Sequence, residues 1–171
     1  MSDLPQLIMT RSLASLPALK FPPGVSCKHF SDGMEADWTA IATESFVNPY
    51  DFDKFMRADT AYKPERVLFV CVDEKPVATA SAWTAKRFPD IGYIHMVGAL
   101  PGYQGRKLGY WVTLAAMYKL VEDGFTQVVL ETDDYRLAAI KTYLNLGYEI
   151  DFTSHESFQK RWDEIIPLLR R

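Results

Sequence analysis

The chain has 171 residues, of which 48% are hydrophobic and 24% charged, which is one domain's worth of sequence with enough apolar side chains for a core. A net charge of −3 argues against nucleic acid as the main partner and leaves a cationic substrate open. No apolar run approaches the roughly 18 residues of a membrane span, and the N-terminus, with Asp3 and no long apolar stretch, does not read as a secretory signal.

Residues 1–24 read as an N-terminal arm packed on the domain, with a short strand over 6–10 and punctuation at Pro17, Pro22 and Pro23. The main domain is expected over 25–155. It opens with an alternating strand over 25–30. Asp32 followed by Glu35 resembles a capping box, and the helix after it carries Trp38, Ile41, Ala42 and Phe46 on one face before Asn48-Pro49 ends it. A second short helix is expected over 53–57. Residues 67–72 form a nearly continuous apolar strand, 73–76 a tight turn and 77–84 the return strand of a hairpin. Cys27 and Cys71 lie in apolar strand-like runs and read as buried thiols of a reducing, cytoplasmic compartment, neither a bridge nor a metal pair; no metal site is expected.

The stretch 92–109 carries the most information. It starts as a strand over 93–100, turns at Pro101-Gly102, crosses a polar loop and becomes helical from about Leu108. Strand, glycine-containing loop and helix together aim backbone N–H groups and a positive helix end at an anion. Gly98 inside the strand points to a bulge or a close approach, so Val97, Gly98 and Ala99 are expected to carry amides that no neighbouring strand uses. An elongated ligand with a phosphate end and an amide-rich arm suits both features. The helix ends at Gly124, and a strand follows over 127–132. Asp133 or Asp134 is expected to cap the next helix, with Leu137, Ile140, Tyr143 and Leu144 on one face and Gly147 at its end. A strand over 148–152 precedes an amphipathic C-terminal helix within 156–171, packed on the sheet or on a second subunit, so the chain is expected as a monomer or homodimer. The expected fold is a three-layer α/β domain with helices on both faces of one mixed central sheet.

The run Gln104-Gly105-Arg106-Lys107-Leu108-Gly109 resembles the acyl-coenzyme A loop of the GNAT acetyltransferases, Q/R-x-x-G-x-G/A. Gln104 and Gly109 match, and Lys107 stands where the first patterned glycine would be. A second segment is similar to the family's N-x-x-A-x-x-x-Y-x-x-x-G-F/Y: Ala139, Tyr143, Gly147 and Tyr148 match, and Arg136 replaces the Asn. The resemblance covers roughly residues 25–152 and is nearest to a bacterial subgroup similar to mycothiol-synthase-like domains. Two weak patterns about thirty residues apart, across helix and strand, make a strong one together.

The resemblance implies a GNAT-type fold and acetyl transfer from acetyl-CoA to an amine of a small molecule or peptide. Val97, Gly98, Ala99, Gln104, Gly105, Arg106, Lys107, Leu108, Gly109 and Arg136 then fall at coenzyme-binding positions, with the Val97 and Ala99 amides able to hold the carbonyl oxygen as charge develops. Tyr143 occupies the family's position for the acid that protonates the leaving sulfur; its plain alternative is a helix-core tyrosine. His95 is the candidate base, expected on the face of Tyr93, Val97 and Ala99 with a pKa suited to the task; its alternative is a satisfied pocket-wall histidine. Other family members use a Glu at the position of Tyr93, or water. Glu131 either faces the acceptor or partners a strand neighbour. Residues 48–66 and 87–92 are expected to wall the acceptor pocket. The competing function is a non-catalytic acyl-CoA-binding module, which would bind the thioester and release no thiol.

Overall fold

In the computed structural model, which describes residues 4–170, seven strands form one sheet and four α-helices lie against it. In chain order these are β1 (Leu7–Ser12), β2 (Val25–His29), α1 (Glu35–Phe46), β3 (Val67–Val72), β4 (Lys75–Trp83), β5 (Gly92–Ala99), α2 (Leu108–Glu122), β6 (Gln127–Thr132), α3 (Leu137–Asn145), β7 (Glu149–Ile150) and α4 (Phe158–Leu169). A single π-helical turn, Asp53–Arg57, stands where a short helix is expected. The sheet order is β2-β3-β4-β5-β6-β1-β7. Every neighbouring pair is antiparallel except β5 and β6, which the α2 crossover makes parallel. No helix among the described residues is long and apolar enough to cross a membrane.

The two faces carry separate cores. On one, Trp38 and Ile41 of α1 pack with Phe30, Phe52, Phe69 and Trp83. On the other, Val112, Leu114, Ala116 and Leu120 of α2 join Ile140 and Tyr143 of α3, Phe158 and Ile165 of α4, and the inward side chains of β3 and β4. This is the expected three-layer α/β arrangement, driven by burial of one apolar stripe per helix.

Four local expectations are corrected. The leading segment supplies a strand of the sheet: β1 lies between β6 and β7, from Leu7 opposite Thr132 to Ser12 opposite Gln127, with Leu7 and Met9 fully buried. Asp32 does not cap α1; Met34 stands at the N-cap, and the Glu35 carboxylate takes the Gly33 amide instead, at 2.9 Å. Neither Asp133 nor Asp134 caps α3. Asp133 accepts from Gln6 and Arg136, and Asp134 from Arg161 of α4, which also donates to the Pro5 carbonyl. The last strand shrinks from five residues to Glu149–Ile150, which pair with Thr10 and Met9 of β1.

The feature that makes a site is a gap in the sheet. β5 runs beside β6 only at Gly92–Val128 and Tyr93–Val129, and beyond Tyr93 the two strands part. On its other edge β5 keeps β4, through a bulge that shifts the register between Thr79 and Ser81 and puts Met96 at φ 54°.

Candidate active site

A cavity of about 740 Å³ fills the gap between β5 and β6. Its walls come from β5, the end of β6, Ser45 and Phe46 of α1, Gly109 of α2, and Ala139 and Tyr143 of α3. Among the expected site residues it gathers His95, Val97, Gly98, Ala99, Gly109, Arg136 and Tyr143. Gln104, Gly105, Arg106 and Lys107 lie outside it, on the exposed loop that leads into α2. The Leu108 side chain is buried in the core, so only its backbone faces that loop's environment.

The Leu100 amide donates to Val77 of β4 at 2.8 Å. Backbone alternation turns the Gly98 amide the same way and aims those of Val97 and Ala99 at the open edge, where β6 has departed. Gly98 itself has another reason to be glycine. A Cβ there would lie 2.8 Å from the Ser45 Cβ, so its bare face admits α1, not a ligand. Gly109 is the opposite case: a Cβ would meet nothing within 4 Å, so no protein neighbour demands the glycine.

Lys107 takes the conformation that a glycine would take without strain. It is the N-cap of α2 at φ 55° and ψ 37°, in the left-handed region, and its carbonyl accepts the first helical bond, from Trp111 at 3.0 Å. No side chain caps α2. The free amides of its first turn and the exposed cations Arg106 and Lys107 face the same solvent. The Gln104 side chain accepts from the Gly102 amide at 3.1 Å and tightens the turn.

Tyr143 is 5% exposed and sits edge-to-face with Tyr148, 5.9 Å between ring centres. Tyr143 borders the cavity, and burial, the dominant influence, pushes its pKa up, so the phenol stays protonated near neutral pH. Arg136 lies on the cavity rim, bonded to Asp133 at 3.2 Å, with its guanidinium 4.5 Å from the centre of the Phe46 ring. It thereby links α3 to α1 across the opening.

His95 departs from expectation in two ways. The bulge at Met96 breaks alternation: His95 stays with Tyr93 and Trp83 on the α1 face, and Val97 and Ala99 turn to the α2 face. Its ring stacks on Trp83 at 5.3 Å and 26°. Burial pushes its pKa down to about 4, against an opposing pull from Asp59 and a smaller push in the same direction from Arg87. The imidazole is therefore neutral near pH 7, and a much weaker base than an ordinary histidine.

Sequence reasoning missed one network and left its key member open. Tyr93 donates to Glu131 at 2.8 Å, and Arg87 pairs with the same Glu131 carboxylate oxygen and donates to the Tyr93 hydroxyl at 3.2 Å. The Arg87 guanidinium lies 5.3 Å from the centres of both the Phe88 and Tyr93 rings. No local pattern joins residues 44 apart; the only signal was the expectation that 87–92 walls a pocket. A second cavity, of about 450 Å³, is lined by Asp59, Thr60, Trp83, Thr84 and Lys86, and it shares Arg87, Tyr93 and His95 with the first.

A sheet opened between two parallel strands, with unpaired amides on one lip and an uncapped helix at its end, is of the GNAT fold class. A GCN5-related N-acetyltransferase from Kribbella flavida superposes with a TM-score of 0.64 at 23% identity, over 86% of this chain and 55% of that one. One from Sphaerobacter thermophilus gives 0.66 at 22% identity, over 86% and 50%. The chain belongs to the acetyltransferase (GNAT) family, whose model matches residues 34–148. It is similar to mycothiol acetyltransferases of Pseudarthrobacter chlorophenolicus, with 31% identity over 85% of this chain and 49% of that protein, and of Nocardia farcinica, with 32% over 82% and 51%. The chain spans about half the length of these curated relatives.

Proposed function

We propose that this chain is an acetyl-CoA-dependent N-acetyltransferase that moves the acetyl group directly to a primary amine of a small molecule or peptide. The observation that carries the reading is the parting of β5 from β6, which leaves the Val97 and Ala99 amides facing a cavity bordered by Tyr143. The family membership and the name borne by the curated relatives support it. We place the protein in the cytoplasm, in keeping with two free cysteines, of which burial pushes Cys27 up to about 11 and Cys71 upward as well, so neither is a reactive thiolate.

The residues present fit the coenzyme. The open edge of β5 offers donors to an amide-bearing arm. The uncapped start of α2, with Arg106 and Lys107, suits phosphates, and Arg136 on the rim adds a cation. Bound there, the coenzyme supplies an activated thioester. The protein's part is then threefold. The Val97 and Ala99 amides hold the carbonyl oxygen and favour negative charge on it. The protonated Tyr143 hydroxyl gives its proton to the departing sulfur. The acceptor ammonium first loses one proton to solvent; neutral His95 then accepts a hydrogen bond from the attacking nitrogen, and the second proton shed by that nitrogen restores the Tyr143 phenol as the amide forms.

The test is calorimetric titration with acetyl-CoA and 3′-dephospho-acetyl-CoA, then a free-thiol assay over a panel of amines. Binding weakened by loss of the phosphate, with thiol release that falls in Tyr143→Phe while binding persists, is the expected result. Binding with no thiol release from any amine would make the chain a coenzyme-binding module. No binding at millimolar acetyl-CoA would refute the reading outright.

A further inference from the structure

Glu131 is the carboxylate whose pairing makes least sense as mere architecture. Its side chain is 14% exposed, at the end of β6 where the sheet opens. A carboxylate so withdrawn from water needs a cation or several donors. Among the described residues its only cationic partner is Arg87, whose side chain is 57% exposed and arises from the loop between β4 and β5. The other carboxylate lining the cavity, Asp133, is held by Gln6 and Arg136.

We propose that Glu131 is the receptor for the acceptor's ammonium group, and that Arg87 is a resident cation which the acceptor displaces. This rests on the acetyltransferase reading above and names its substrate class: a primary amine whose only charge near the reacting nitrogen is the ammonium itself.

Three features carry the assignment. The exchange replaces one cation by another, so Glu131 is never left buried and unpaired, whereas an uncharged acceptor that displaced Arg87 would leave it so. The parts that would hold an ammonium remain when Arg87 leaves. Tyr93 fixes the carboxylate through its hydroxyl at 2.8 Å, and the nearly parallel Phe88 and Tyr93 rings, 16° apart, already support a guanidinium. Finally, Arg87 borders both cavities. Its departure leaves less between the main cleft and the polar space beside Asp59, Thr60, Thr84 and Lys86, where the rest of the acceptor would lie. Because the Arg87 side chain is more than half exposed, its ion pair is of the weak, surface kind and yields readily.

Steady-state transfer from acetyl-CoA to L-alaninamide and to zwitterionic L-alanine tests the proposal, with calorimetric acetyl-CoA affinity measured on every variant. Wild type is expected to favour alaninamide by about tenfold or more in kcat/KM, because the carboxylate of alanine would lie beside Glu131. Glu131→Gln keeps the shape and the bond from Tyr93 and removes the charge. It should raise the alaninamide KM about tenfold or more with acetyl-CoA affinity unchanged. Arg87→Ala should lower that KM several-fold, by removing the competitor. A rise in KM in Arg87→Ala, an unchanged KM in Glu131→Gln, or a preference for alanine would each overturn the proposal, as would coenzyme binding with transfer to neither amine. Failure of wild type to bind acetyl-CoA would instead refute the reading on which the proposal rests.

Discussion

Gly109 offers a substitution in which stability and binding should move in opposite directions. It is the second residue of α2, its φ is ordinary, and a Cβ built on it meets no atom within 4 Å. Alanine there costs no packing. It restricts the unfolded chain and favours the helix, a gain of about 0.5 kcal/mol in a first turn against roughly 1 in a helix interior. In a domain of this size that raises Tm by about 1–2 °C. Coenzyme binding should go the other way. The empty space borders the cavity beside the uncapped first-turn amides, and a methyl group there keeps an anion from closing on them. A loss of about 1.4 kcal/mol would appear as a tenfold weaker acetyl-CoA Kd. Thermal unfolding of the free protein and calorimetry with acetyl-CoA read the two effects separately. A short acetyl thioester without phosphates serves as control, since it should be indifferent to the change. A fall in Tm would show that the space is not open, and an unchanged Kd alongside a raised Tm would show that the ligand never approaches the start of α2.

Gly98→Ala should behave differently, because its new Cβ would lie 2.8 Å from the Ser45 Cβ of a packed helix. Overpacking of this kind costs about 1–3 kcal/mol, read as a lower denaturation midpoint, and Ser45→Gly in the same chain should recover part of it; no loss would refute the tight approach of α1. Lys107→Gly relieves a left-handed residue, so stability should hold or rise by up to about 1 kcal/mol, while loss of the charge weakens acetyl-CoA binding several-fold and flattens its dependence on salt. A clear loss of stability in urea would count against the backbone strain. For His95 the sign follows from a native pKa of about 4 against 6.5 unfolded: the unfolded chain binds the proton more tightly, so the contribution is full above about pH 6.5 and disappears as pH falls through about 4. Its size is on the order of 3 kcal/mol, and His95→Gln should flatten urea-derived stability between those limits; parallel curves for the two proteins would refute the burial argument.

What the sequence revealed, and what it concealed, divides by the range of the interaction. Helix and strand limits are set by neighbours in the chain, and α2, β3 and β6 fall where periodicity and punctuation put them, as do the opening start of α2 and the glycine at its end. The capping expectations failed for a physical reason: an aspartate near a helix start caps only when nothing better competes, and Asp134 found Arg161 from a helix 27 residues away. β1 was legible as a strand but not as an inner one, because pairing between Leu7–Ser12 and the far-distant Gln127–Thr132 leaves no local trace beyond alternation.

The fate of His95 follows the same logic with greater consequence for chemistry. Strict alternation put it beside Val97 and Ala99, and a single residue, Met96 at φ 54°, moved it to the other face and against Trp83. A bulge adds one residue to the count, so it reverses every inference about facing made beyond it. The same bulge keeps β5 joined to β4 while β6 departs, and so it both exposes the amides at Val97 and Ala99 and buries the imidazole until it is a weak base. With His95 neutral, the charged side chains that remain on the proposed acceptor side include Glu131, Arg87 and Asp59. Their arrangement depends on contacts between β6, the loop before β5 and the segment after α1, which only the folded chain assembles. The proposed coenzyme end of the site is written in short motifs because it is built on backbone amides, whose placement needs glycines and turns; the proposed acceptor end is built on side chains from distant segments, and no motif records it.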